Sequence, residues 1–155
     1  MRLRAVKRVP ITEVRKRLED YEEKYLKRFP AFHSEFISGT MDRERFQDYV
    51  EWNSMIHALR AYNEGEDFEY YAEEDLGVSR SDFEMLTPKR LELLDEIADR
   101  HVESINELAK SLRRNVKNVY NDIKILERLG FIRLSREGRG LVPELLVQEV
   151  TIQLG

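Results

Sequence analysis

The sequence predicts a mainly α protein with a small β wing, in which an N-terminal helical region precedes a pair of short helices and a hairpin. Three observations carry this prediction. Residues 104–132 hold two amphipathic helices joined by a tight basic turn and closed by a glycine. Residues 131–142 set two short apolar, β-branched runs around a Gly138-Arg139-Gly140 tip. The first half of the chain repeats apolar residues at helical spacing.

The C-terminal signals are the most closely spaced. Ser104 and Glu107 form a capping box, in which the hydroxyl accepts an orphan N–H of the first turn while the carboxylate reaches back to the N–H of Ser104. Ile105, Leu108, Ala109 and Leu112 then line one face, leaving Asn106, Lys110 and Ser111 outside. Asn115 is the next N-cap, and Val116, Val119, Ile123, Leu126 and Leu129 form the apolar face of the second helix. Gly130 stops that helix in a left-handed conformation. Two helices so joined, with a hairpin beside the second, make a winged helix-turn-helix.

The outward face of the second helix carries Lys117, Asn118, Asn121, Lys124 and Arg128, with Tyr120 near its edge. Asparagine matches the bidentate edge of adenine and lysine that of guanine, so Lys117, Asn118, Tyr120 and Asn121 are the expected base-reading residues. Lys110, Arg113, Arg114, Lys124 and Arg128 are placed for phosphate, which positions a protein without reading sequence. Arg133, Arg136 and Arg139 belong to the wing, the last two flanking its tip within reach of a minor groove. From residue 110 to 139 nine basic residues face three acidic ones, a local charge of +6 on a chain of formal charge −4. Nucleic-acid affinity follows the local field and counterion release, not net charge. The alternative is that these are ordinary solvated charges on helix faces.

Composition narrows the function classes. The 155 residues, 41% of them hydrophobic, suffice for a packed core. No run of about 18 apolar residues spans a bilayer, and the basic start RLRAVKR lacks the apolar stretch of a signal peptide, so a cytoplasmic location without membrane association is expected. Without cysteine there is no disulfide, thiolate metal site or thiol nucleophile. His33, His57 and His101 lack metal-ligand spacing, and His57 reads as a hydrogen-bonded core residue. No catalytic motif or phosphate-binding glycine loop is present, so neither enzymatic activity, nor a catalytic residue, a metal or a cofactor is expected.

In the first half, a helix is expected from about Thr12 to Phe29, stopped by Pro30, with Val14, Leu18, Tyr21, Tyr25 and Phe29 on one face. After a short segment at residues 31–38, closed by Gly39, a second long helix at residues 42–63 turns Phe46, Tyr49, Val50, Ile56 and Leu59 one way. Trp52, Met55 and Tyr62 widen its apolar surface, either as a dimer contact or for packing against the winged domain, or as part of an internal helical core. Residues 64–75 are acidic with interleaved aromatics and read as a solvated linker or a docking segment. Thr87-Pro88 opens a helix with Leu91, Leu94, Ile97 and Ala98 as its stripe, and the alternating end VTIQL reads as a strand added to the wing sheet. The basic cluster Arg2, Arg4, Lys7 and Arg8 is either a DNA-contacting arm or a disordered or edge-strand solubility feature.

Residues 86–154 resemble the winged-helix transcriptional regulators of bacteria and archaea, broadly the MarR and ArsR groups, through ESINELAKSL, NVKNVYNDIKILERLGFI and the REGRG wing. A closer likeness is to prokaryotic antitoxin-like winged-helix DNA-binding proteins, whose helical part LEDYEEKY and DYVEWNSMIHAL resemble. The resemblance implies a homodimer that binds double-stranded DNA, represses its own operon and neutralises a toxin partner through its N-terminal half. The expected organisation is a helical dimerisation or partner-binding region at residues 1–66, an acidic-aromatic linker at 67–86 and a winged helix-turn-helix at 87–155. The expected function is a sequence-specific DNA-binding regulator, acting as a dimeric repressor. The alternative is an interaction module whose winged fold docks a protein partner or RNA.

Overall fold

A computed structural model of the chain describes residues 2–155. Its elements run β1 (Arg2–Arg8), α1 (Ile11–Tyr25), α2 (Phe29–Ile37), α3 (Arg43–Asn63), β2 (Tyr71–Asp75), α4 (Arg80–Phe83), α5 (Pro88–Asp99), α6 (Ile105–Ser111), α7 (Val116–Arg128), β3 (Ile132–Glu137), β4 (Gly140–Leu145) and β5 (Val147–Gln153). The chain is mainly α, with one sheet of order β2-β1-β5 and a separate β3–β4 hairpin. It divides into two units, Arg8–Tyr71 and the N-terminal strand up to Lys7 together with Ala72–Gly155. Among the described residues no helix is long and apolar enough to cross a membrane.

In the helical unit, the single helix expected at residues 12–29 is two. The chain breaks at Leu26, which takes a left-handed conformation (φ +52°). Pro30 lies in the first turn of the next helix, after Phe29, instead of ending the first, because the opening turn of a helix loses no internal hydrogen bond to proline. The short segment at residues 31–38, given no type by the sequence, is the rest of α2 and its C-cap Ser38. Asp42 caps α3 by accepting the N–H of Arg45 at 2.8 Å.

Phe32, Tyr49 and Trp52 form the centre of this unit, with Tyr21, Tyr25 and Phe29 packed around them. The rings of Tyr21 and Trp52 stack at 5.4 Å and those of Phe32 and Trp52 meet at 5.1 Å, separations at which aromatic pairs attract. Trp52 therefore completes an internal core. The expected α3 face is rotated: Tyr49, Trp52 and Met55 are buried, whereas Phe46, Val50 and Tyr62 are exposed, because α3 packs against both α1 and α2. His57 is exposed and not a core residue, and it is His33 whose Nδ1 lies 2.8 Å from the Tyr49 hydroxyl. At the rim the Tyr21 hydroxyl donates to Glu51 at 2.9 Å, and burial together with that carboxylate pushes the phenol pKa up.

In the other unit, RLRAVKR is neither an arm nor an edge strand. It is the middle strand, with Leu3 and Ala5 buried and Arg2 and Arg4 outward. β5 pairs with it antiparallel, Leu3 opposite Ile152 and Ala5 opposite Val150, so the C-terminal strand does not extend the hairpin sheet. On the other side, residues expected to be a linker form β2 and α4. The Leu76 N–H donates to the Leu3 carbonyl at 2.9 Å, Leu76 itself is buried, and Arg4 pairs with Glu73 at 3.3 Å. The acidic strand is thus matched to the basic one. Ser79 and Asp82 make the capping box of α4.

Thr87 caps α5 with Pro88 in its first turn, as its sequence indicates. Its inward face is Leu93 and Ile97, with Leu94 partly buried, while Leu91 and Ala98 remain exposed. These side chains join Leu108 and Ala109 of α6, Val119, Ile123 and Leu126 of α7, and Phe131 and Ile132 in one apolar core. Burying a leucine or isoleucine there contributes about 1.5–3 kcal/mol each. That core fixes which face of α7 is left outside.

Candidate nucleic-acid interface

The α6 helix starts as its cap predicts, with Ser104 Oγ accepting the N–H of Glu107 at 3.0 Å. The returning arm of the box is absent, because the Glu107 carboxylate turns to Arg100 at 2.9 Å. At the other end Arg113 occupies a left-handed conformation (φ +53°) usually given to glycine. Its N–H donates to the Lys110 carbonyl at 3.1 Å and that of Arg114 to Ala109 at 2.9 Å, closing the helix and reversing the chain. A left-handed non-glycine residue costs about 1–2 kcal/mol. The turn therefore stores strain beside an exposed guanidinium.

Asn115 caps α7, its Oδ1 accepting the N–H groups of Lys117 at 2.9 Å and Asn118 at 3.3 Å. Val119, Ile123 and Leu126 are buried. Gly130 (φ +84°) ends the helix, donating to Glu127 at 3.0 Å while the Phe131 N–H donates to Leu126 at 3.0 Å. On the opposite face Lys117, Asn118, Tyr120, Asn121, Lys124 and Arg128 are all exposed. Lys124 lies 2.7 Å from Glu127, whose hydrogen bond raises the ammonium pKa above its ordinary value, and Arg128 Nη2 sits 3.1 Å from Met85 Sδ.

Two expected phosphate or wing residues are held by carboxylates of the chain itself, Arg114 in a largely buried cluster and Arg133 in a part-exposed pair on the hairpin. Arg114 Nη2 is 2.6 Å from Asp122, with only 16% of its side chain exposed, and Arg90 Nε meets the other Asp122 oxygen at 3.0 Å. Asp122 on α7 thus ties that helix to α5 and to the turn after α6. Arg133 pairs with Glu144 at 2.5 Å across the hairpin, opposite it in register. Periodicity could not find either partner, since one is set by the turn into α7 and the other by pairing across the hairpin ladder.

Sequence reasoning also placed Val116 in the core, yet it is 45% exposed. A helical side chain covers the turn N-terminal to its own Cα. At the first position of α7 no such turn exists, so the valine projects past the helix end. With Ile105, Tyr120 and Leu141 it lines an open groove of about 680 Å³ between α6, the start of α7 and the hairpin, whose polar lining includes Asn115, Lys117 and Arg139. Arg136 and Arg139 are exposed around Gly138 (φ +61°) at the hairpin tip. Lys110 and Arg113 are exposed at the end of α6 and in the turn after it.

Residues 85–152 match the model of a family described as HVO_A0114, a span that covers α5–α7, both hairpin strands and nearly all of β5. No curated protein matches the sequence.

Proposed function

We propose that the chain is a sequence-specific, double-stranded-DNA-binding transcriptional regulator whose segment from residue 87 onward is a winged helix-turn-helix, with α7 the recognition helix and β3–β4 the wing. One observation carries the reading: a chain of net charge −4 leaves Lys117, Asn118, Tyr120, Asn121, Lys124 and Arg128 exposed on one helix, with Lys110, Arg113, Arg136 and Arg139 exposed in the elements around it. Lys117, Asn118, Tyr120 and Asn121 meet base edges, and Lys110, Arg113 and Arg128 hold phosphates. Arg114 and Arg133 act structurally. A duplex selected from a random library, titrated by fluorescence anisotropy, tests this. Lys117, Asn118 and Asn121 changed together to Ala should abolish the preference for the selected duplex over a scrambled one; an unchanged preference would remove α7 from the interface.

The protein acts as a dimeric repressor, and a second surface favours the partner-binding part of this reading. Phe36, Ile37, Phe46 and Val50 are exposed to 40%, 70%, 46% and 47%, with the Phe36 and Phe46 rings stacked at 6.1 Å. Contiguous exposed apolar side chains of this kind mark interaction sites, here for a second copy or for a toxin partner. A two-fold dimer binds an inverted repeat with half-sites about one helical turn apart. Phe46→Glu should convert the dimer to monomer in sedimentation equilibrium; an unchanged mass would place dimerisation elsewhere.

A further inference from the structure

We infer that Val116 and Tyr120 are specificity-determining residues that read the 5-methyl groups of thymine, so that the duplex this chain prefers presents A·T pairs to the start of α7. The inference rests on the DNA-binding reading and names its substrate class. Val116 and Tyr120 lie one turn apart, exposed to 45% and 41%, and line the same groove. Lys117 and Arg139 line it too, and it has no acidic lining residue, so it is electrostatically open to a polyanion.

A lysine or arginine on such a face is accounted for by phosphate, but a valine and a tyrosine ring are not. At the major-groove edge the thymine methyl is the apolar group that distinguishes one base pair from another. Apart from the small C5–H of cytosine, the other features there are donors and acceptors, against which an apolar side chain only costs hydration. The neighbouring polar residues agree, since Asn118 and Asn121 carry the amide that matches adenine N6 and N7. One helix thus offers complementary chemistry to both members of an A·T pair. Phosphate contacts alone would leave the site indifferent to sequence.

Replacing thymine by deoxyuridine removes the methyl and nothing else. Random-sequence duplexes are first selected on the full chain, and the selected duplex is then titrated beside a copy carrying deoxyuridine in place of thymine. The selected site should contain A·T pairs, and deoxyuridine should weaken binding about fourfold for each methyl contacted, the effect of exposing one buried carbon. Val116→Ser and Tyr120→Gln, both at exposed positions, should each lessen this discrimination and together abolish it, and their melting curves report retained folding. A selected site made of G·C pairs, no discrimination by the unaltered chain, or full discrimination retained in both variants would overturn the inference while leaving DNA binding intact. Failure to enrich any duplex would overturn the DNA-binding reading itself.

Discussion

Asp122 is the residue whose removal tests the architecture behind the proposed interface. Its carboxylate holds Arg90 at 3.0 Å and Arg114 at 2.6 Å, with 14% of its own side chain exposed and 17% and 16% of theirs. Asp122→Ala leaves two guanidinium groups in a largely dehydrated site without their counter-charge. Breaking a fully buried pair costs about 3–5 kcal/mol. Here residual solvent screening lowers the expected loss to about 2–4 kcal/mol. Urea unfolding followed by circular dichroism measures it, and Asp122→Asn, which keeps the shape and one acceptor, should lose less. A loss under about 0.5 kcal/mol, the range of ordinary surface substitutions, would refute the reasoning. The same cluster separates a structural from a phosphate role for Arg114. Arg114→Ala should destabilise the fold yet leave the salt dependence of DNA binding unchanged, whereas Lys110→Ala should lower its slope by about 0.9.

Two further outcomes concern the helical unit, whose unfolding is reported by the fluorescence of the chain's single tryptophan, Trp52. Leu26 is left-handed and 89% exposed. Leu26→Gly should therefore raise stability by about 0.5–1 kcal/mol, the left-handed penalty less the entropy cost of glycine, and an unchanged unfolding midpoint would contradict that. The hydrogen bond from Lys27, with Arg45 on the other oxygen at 3.0 Å, holds the Glu35 carboxyl pKa below its ordinary value. A depressed folded-state pKa adds stability above the unfolded value that disappears as pH falls through the folded one. The stability gap between the unaltered chain and Glu35→Gln should thus be full at neutral pH and close in acid. A gap independent of pH would place the contribution elsewhere.

The parts of the fold written in local sequence were readable, and the parts set by distant pairing were not. Ser104, Asn115, Thr87 and Gly130 each mark a helix end by their own side-chain or backbone chemistry, so α5, α6 and α7 stand where their caps put them. Apart from Val116, which projects past the helix end, the outward face of α7 follows from the same local periodicity. By contrast, RLRAVKR looks like a charged tail until it is set between β5, joined at the other end of the chain, and the acidic β2. Only those neighbours give its alternation of Leu3 and Ala5 with Arg2 and Arg4 a meaning. The face of α3 was misread because aromatic and aliphatic residues surround that helix, and contact with α1 and α2 chooses among them. Arg114 and Arg133 were indistinguishable from free cations because their partners, Asp122 and Glu144, lie eight and eleven residues on and are brought back only by the turn before α7 and by the hairpin.

The central claim is that the exposed cations around α7 meet the phosphates of duplex DNA, and the salt dependence of affinity measures this most directly. With Lys110, Arg113, Lys124, Arg128, Arg136 and Arg139 exposed, about six phosphate contacts give a slope near −5 in a plot of log affinity against log salt. A slope near −5 on the selected duplex is the predicted result. Affinity that stays flat between 50 and 200 mM salt, roughly the window in which such contacts lose several decades of affinity, would contradict it.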